Sequence, residues 1–270
     1  MNTQAILVLT HKPIPHIFEY ATQYPNVNFY IHVDKKVAIS NIKIKDMKNI
    51  FFLNDIDRID IKWAGFSMIQ ATLNLIYYAL DKDAKNEYFH LISADDVILN
   101  LGSHVPDDKI FMECYCSQKH RYRMRFNTLH ADTIYQRNFI GKVLTQLYKK
   151  VDLLLPTKKK YYFGSQWFSI SRNYLEILIN SISAKDISFF EKKLCPDEHF
   201  FQYLVAKNNL LSQLSSEGNK RYIVFDSAYQ HGSSPIWLNP KQLQEAFGSG
   251  YWFARKVQPE VISEFKTFFD

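Results

Sequence analysis

The sequence predicts an α/β fold with a mainly parallel central sheet flanked by helices. Two patterns in the first hundred residues carry this expectation. Short apolar runs closed by polar residues alternate with longer segments of helical spacing. Three of those runs also end on charged or hydrogen-bonding side chains, and in open α/β sheets ligands sit beyond the carboxyl ends of the strands.

The elements follow in order. "AILVLTHK" at 5–12 is a buried strand ending on Thr10, His11 and Lys12. "PHIFEYATQY" at 15–24 has the helical spacing of Ile17, Phe18, Tyr20 and Ala21. "NFYIHVD" at 28–34 is a second strand ending on Asp34, and "NIFFLN" at 49–54 is a third. "FSMIQATLNLIYYALDKD" at 66–83 is an amphipathic helix, with Met68, Leu73, Leu75, Ile76 and Leu80 on broad faces. "YFHLISADD" at 88–96 is a fourth strand, ending on Asp95 and Asp96. Beyond residue 100 the pattern weakens. "QKHRYRMRF" at 118–126 alternates basic and aromatic residues, and "FIGKVLTQLYKKVDLLL" at 139–155 is amphipathic, with Lys142, Lys149 and Lys150. "KKKYYFGSQWFSISRNYLEILI" at 158–179 places a basic patch before a strand and a helix. The tail holds "RYIVF" at 221–225, a Gly/Ser/Pro loop at 232–235 and "YWFARKV" at 251–257. No repeat or low-complexity linker divides the chain, so a single domain over 1–270 is expected.

Composition excludes some classes. With 47% apolar and 16% aromatic residues the chain is not disordered. Most aromatics fill a core, although tyrosine also suits the walls of a sugar or base site. A net charge of +6 favours an anionic ligand or surface: nucleotide phosphates, anionic lipid headgroups or nucleic acid. Three cysteines without a repeated spacing argue against a disulfide framework and a structural zinc site, and for a reducing, cytoplasmic compartment. The N-terminus lacks the pattern of a signal peptide and no apolar run is long enough to span a bilayer, so membrane association is expected to be peripheral.

Neither a GxGxxG nor a GxxxxGK[ST] fingerprint is present. Basic side chains are therefore the candidates for a diphosphate: Arg255 and Lys256, which follow an apolar run, and Arg221. "DID" at 55–57 has a metal-binding spacing but also suits a half-exposed loop. Asp95 and Asp96 are adjacent, and in a strand they would point to opposite faces. In "CPDEHFF", Asp197 is placed to cap the next helix and Glu198 to sit in its first turn, where the helix dipole favours an ionised carboxylate. Both are also ordinary helix-start residues, and Glu198 is a general-base candidate.

In order along the chain, "AILVLTHK", "YIHVDKK", "WAGFSMIQATLNLI", "YFHLISADDVIL", "GSQWFSISRNYL", "CPDEHFFQYL" and "FARKV" resemble the core-2/I-branching β-1,6-N-acetylglucosaminyltransferase family. That family also includes the protein xylosyltransferases and many bacterial members. The resemblance implies a GT-A-type catalytic domain that inverts the anomeric centre of a UDP-sugar without a bound divalent metal. Its N-terminal half would bind the nucleotide. Its C-terminal half would hold the acceptor and the base. By similarity Glu198 is the catalytic base and Lys256, with Arg255, faces the diphosphate. Asp34 lies near the base and ribose, and Leu9, His11, Asp95 and Asp96 complete the donor site. Glu113, Arg121 and Trp167 fall on the acceptor side. Two departures stand out. Ala94 and Asp95 replace the Gly and Gln of the family's "SGQD", and "HGSSPIW" replaces a segment bearing a further arginine, for which Arg221 or Arg255 would have to stand in.

The function expected is transfer of a sugar, N-acetylglucosamine first and xylose, glucose or galactose as alternatives, to a hydroxyl of a bacterial surface glycan or lipid-linked glycan. No cofactor is required, and the protein is expected at the inner face of the cytoplasmic membrane in contact with anionic lipid. The rival from another class is a nucleic-acid binder using "KHRYRMRF" and "KKKYYF", but carboxylates at the strand ends would repel phosphates. A lectin-like relative without activity is a third reading.

Overall fold

The four N-terminal apolar runs form parallel strands: β1 (Thr3–Thr10), β2 (Val27–Val33), β3 (Ile50–Phe52) and β4 (Asn86–Ser93). This computed structural model describes residues 3–42, 46–101, 109–136, 138–226 and 234–266. Residues 232–233 of the Gly/Ser/Pro loop lie outside that set. Helix α1 (Pro15–Gln23) joins β1 to β2, and α2 (Phe66–Lys82) precedes β4. Further strands are β5 (Asp96–Ile98), β6 (Ile110–Met112), β7 (Tyr115–Cys116), β8 (Tyr162–Phe163), β9 (Phe168–Ser171), β10 (Arg221–Ile223) and β11 (Phe253–Arg255). The later helices are α3 (Arg121–Arg125), α4 (Phe139–Leu154), α5 (Arg172–Asn180), α6 (Ala184–Phe190), α7 (Phe200–Lys207), α8 (Pro240–Gly248) and α9 (Pro259–Lys266).

The central sheet has the order β3-β2-β1-β4-β9-β6. Its first four strands are mutually parallel, and β9 runs antiparallel to both β4 and β6. A mostly parallel sheet between helical layers is consistent with the GT-A-type fold that the resemblance implies. Successive side chains of a strand face opposite sides. Thus Ala5, Leu7 and Leu9 join one core with α2, α5 and α7, whereas Ile6 and Val8 join a second with α1 and α8. Two apolar faces on one strand explain why the sequence of β1 is a continuous apolar run.

Three local expectations need correction. The fourth strand stops at Ser93, and the chain turns at Ala94–Asp95. Asp96 then begins β5, in a separate sheet of order β10-β11-β5. Asp197 does not cap α7: residues Pro196–Glu198 form a 3-10 turn and His199 stands at the N-cap, without a side-chain cap bond. Steric order in the turn, entered through left-handed Cys195 (φ 47°), has displaced the helix start by two residues.

Helix α2 shows what sequence distance conceals. The carboxylate of Asp132 accepts hydrogen bonds from Ser67 N (3.2 Å) and Ser67 Oγ (2.7 Å), satisfying its first turn from 65 residues away. Gly65 makes room, because a Cβ there would collide with that carboxylate.

Helix α4 is amphipathic as expected, but its apolar stripe faces outward. Phe139, Ile140, Val143, Leu147, Leu153 and Leu154 are all exposed. Its inner side is held by buried Asp152, which accepts from Arg121 Nε (2.6 Å) and Arg125 Nη1 (3.1 Å) on α3. Among the described residues no helix is long and apolar enough to cross a membrane.

Candidate active site

The carboxyl ends of β2, β1 and β4 are stitched side by side. Asp34 N donates to Thr10 O (2.8 Å), and Ala94 N donates to Leu9 O (3.1 Å). This brings the three polar strand ends onto one edge. Asp34 is buried; its Oδ1 accepts from Lys36 N (3.0 Å) and its Oδ2 lies 3.3 Å from Lys36 Nζ. Buried Arg58 braces this turn by donating to the carbonyls of Val33 (2.9 Å), Asp34 (2.9 Å) and Val37. His11 is exposed on the same edge. Leu9 is packed into the core, so only its backbone reaches the edge.

A cluster of cations gathers beside this edge. Lys12 forms an ion pair with Asp95. The ammonium groups of Lys12 and Lys256 each lie 5.5 Å from the ring centre of Trp237. Val257 N donates to Asp95 O (2.8 Å), which fixes Lys256 next to Asp95. Arg255 is buried, 3.2 Å from Asp96, with its guanidinium 4.2 Å above the ring of Trp167. Asp95 and Asp96 therefore serve different cations. Burial pushes the Lys256 ammonium below its ordinary pKa; the charge of Arg255 adds to this, and Asp95 and Asp96 oppose it. Three cations held against two carboxylates favour an incoming anion.

Arg221 is not part of this surface. It is buried and donates to Leu91 O (3.0 Å), Phe168 O (2.6 Å) and Ser169 Oγ (3.3 Å). Its donors are committed to the inner sheet, so it cannot substitute for the family's absent arginine. Asp55 of "DID" is exposed and paired with Arg58 at 2.7 Å. Among the described residues, no three His, Cys, Asp or Glu side chains converge as metal ligands would.

The second cluster surrounds Glu198. Its Oε2 forms an ion pair with Arg123, and nothing among the described residues hydrogen-bonds Oε1. About a third of the Glu198 side chain (34%) is exposed. Arg123 lies 5.7 Å from the ring centre of Phe163, which also stacks on His120 (3.9 Å) and meets Tyr115 edge-on (5.4 Å). Burial raises the Tyr115 phenol, followed by the nearby charges of Glu113 and Glu198. Glu113 Oε2 accepts from Ser165 N (3.2 Å). Asp197 is buried beneath Glu198. Burial, then the charge of Glu198, pushes its carboxyl above the ordinary range. His199 donates through Nδ1 to Tyr162 O (2.6 Å), and burial drives its pKa down to about 3, so its ring is neutral.

Arg121 does not reach Glu198. Its guanidinium turns to Asp152 and to Gln118 Oε1 (2.7 Å), on the opposite side of α3 from Arg123. Behind His199 lies a cavity of about 250 Å³ walled by Lys159, Lys160, Tyr161, Phe189, Tyr203 and Lys207. The basic-aromatic run at 158–163 therefore contributes to a pocket wall, and the three arginines of "KHRYRMRF" are each paired with a carboxylate.

The segment Gly164–Trp167 joins the two clusters. Gly164 N donates to Glu198 O (3.0 Å), Ser165 N reaches Glu113, and Trp167 lies under Arg255. Three peptide steps span at most about 11 Å. Thus Trp167, expected on the acceptor side, is in direct contact with the donor-side arginine. Sequence reasoning missed Arg123, because 75 residues separate it from Glu198 and no local pattern marks it. It also missed Trp237 and Lys12; Lys12 stood in the noted strand-end trio, while Trp237 carried no signal.

The family model described as Core-2/I-Branching enzyme matches residues 5–248. The match takes in both clusters except Arg255 and Lys256, which lie beyond its end. No curated protein matches the chain.

Proposed function

The chain belongs to the core-2/I-branching enzyme family and is a glycosyltransferase, and from that premise we propose that it moves N-acetylglucosamine from UDP to a hydroxyl of a bacterial surface glycan, with inversion and without a divalent metal. Glu198 Oε1 takes the proton of the acceptor hydroxyl. The freed oxygen pair bonds the anomeric carbon from the face opposite UDP. The bond from that carbon to the phosphate oxygen breaks, and its electron pair leaves with UDP. Lys256 and Lys12 meet the charge that builds on the diphosphate, and buried Arg255 adds to the field behind them. Arg123 positions the base by holding Oε2, which turns Oε1 outward.

The observation that carries this reading is the Gly164–Trp167 bridge. It ties the backbone of Glu198 to the tryptophan that carries Arg255 through three residue steps, at most about 11 Å between the Cα atoms of Gly164 and Trp167. Asp34, at the neighbouring strand end, would face the nucleoside. The three cysteines are free thiols, which suits the cytoplasmic side of a membrane.

The test is a screen of UDP-sugars by UDP release, with and without EDTA. UDP-N-acetylglucosamine should be turned over at the same rate in both. Turnover restored only by added Mn²⁺ would overturn metal independence, and turnover of UDP-xylose, UDP-glucose or UDP-galactose alone would reassign the sugar.

A further inference from the structure

Helix α4 exposes an apolar stripe that no element of the protein covers among the described residues. At about 100° per residue, Phe139, Ile140, Val143, Leu147 and Leu154 share one face. Their exposures are large: Phe139 80%, Leu154 80%, Ile140 59%, Leu147 55% and Val143 51%. Ile134 and Tyr135, in the turn just before the helix, extend the patch. An amphipathic helix normally turns such a stripe inward. Here the inner face is occupied by the Asp152 ion pairs and by Tyr148, which stacks on Phe126 (5.5 Å).

Charge identifies the occupant. From Phe139 to Lys160 the chain carries six lysines and one acid. That acid is Asp152, buried and paired to α3, so every exposed charge of the segment is positive. Lys142 and Lys149 lie along one side of the stripe, and Lys150 falls within it. Lys158, Lys159 and Lys160 follow directly, all exposed. A second copy of this chain docking through the same face would have to bury these ammonium groups against carboxylates, and the face offers none. A bilayer with anionic headgroups accepts both features: the apolar side chains enter the acyl boundary while the lysine stems snorkel to the phosphates.

We propose that the outward face of α4 docks the protein on an anionic lipid surface, lying in the plane of the interface without crossing it. The site follows from this placement. Helix α3 holds Asp152 of α4 with Arg121 and Arg125, and the same short helix holds Glu198 with Arg123. Docking through α4 therefore sets the Glu198 cluster behind one short helix, α3, on the side of α4 away from the lipid. The docking surface lies outside the transfer site and does not depend on which sugar is moved.

Sedimentation with vesicles tests it. The intact protein should pellet with vesicles of equimolar phosphatidylglycerol and phosphatidylcholine, remain in solution with phosphatidylcholine alone, and be released by added salt. Replacing Lys142, Lys149 and Lys150 together by Gln should weaken partitioning on the order of a hundredfold. The double variant Val143→Asp and Leu147→Asp should stay in the supernatant with an unchanged thermal midpoint, since both positions are exposed. No pelleting with anionic vesicles, or pelleting of the Asp variant equal to that of the parent, overturns the proposal. So does a concentration-dependent dimer that the same Asp substitutions dissolve, which would assign the face to a second copy.

Discussion

Glu198→Gln separates chemistry from architecture. Glutamine keeps the side-chain volume, and its amide oxygen can still accept from Arg123. The carbonyl of residue 198, which receives Gly164 N, is unchanged. The structural cost is therefore the lost charge opposite Arg123. With 18% and 34% of the two side chains exposed, that pair is worth about 1 kcal/mol. The chemical cost is larger. Glutamine has no basic oxygen for the acceptor proton, and a general base contributes roughly 10²- to 10⁴-fold. At 1.36 kcal/mol per decade this is about 3–5 kcal/mol of transition-state free energy. UDP affinity should change less than about twofold, because Lys256, Lys12 and Trp237 lie at the other end of the Gly164–Trp167 bridge. The assay is kcat from acceptor-dependent UDP release, beside UDP affinity by titration calorimetry and the thermal midpoint. A kcat within tenfold of the parent would remove Glu198 from the chemistry. A parallel fall in UDP affinity would show a structural role instead.

Three further outcomes are expected. Lys256→Ala should weaken UDP binding by about 10- to 150-fold, the range of one charge-assisted contact, and leave acceptor affinity nearly intact; equal losses of both would make Lys256 a scaffold residue. Gly164→Ala should damage the bridge, because its Cβ would press into the Glu113 carbonyl; a cost of about 1–3 kcal/mol in denaturant unfolding with a lower kcat is expected, and neutrality in both would refute the close approach. Acid should destabilise the fold. Burial lowers His32 to about 4 and His199 to about 3, and it lowers His90 further below its ordinary value. In the unfolded chain these rings take up protons below about 6.5, whereas in the fold they stay neutral. Their stabilisation is present above pH 6.5 and is lost as pH falls towards 4, at about 2 kcal/mol per ring between pH 7 and 5. Buried Asp197, whose pKa is raised, works in the opposite direction, so denaturant midpoints should fall on acidification by less than the histidines alone would give. A midpoint that rises from pH 7 to 5 would contradict the neutral buried rings.

What could be read from the sequence was whatever periodicity or local order determines. The four parallel strands, α2 and the polar strand ends at Asp34, Lys12 and Asp95 follow from two-sided burial and from the rule that ligands sit beyond strand ends. The ordered motifs were enough to point to the family, and Glu198 emerged as a candidate because its acids open a helical segment. The boundaries failed where a turn intervened, at Ser93–Asp96 and at Pro196–Glu198, because a break of two residues leaves the apolar pattern intact.

Only the tertiary structure decided which side chains meet. Arg121, Arg123 and Arg125 are equivalent in sequence, yet one helical turn sends two of them to Asp152 and the third to Glu198. Arg221 and Arg255 look alike as phosphate ligands, but Arg221 is spent on inner carbonyls. Trp237 entered beside Lys12 and Lys256 without any local mark. The periodicity of α4 established that it has an apolar face, and the paired Asp152 beneath it decided that this face points outward. Periodicity is a property of one segment, which a sequence displays directly. The partner of each of these charges is set by contacts across 27 to 159 residues of chain, and those exist only once the layers have packed.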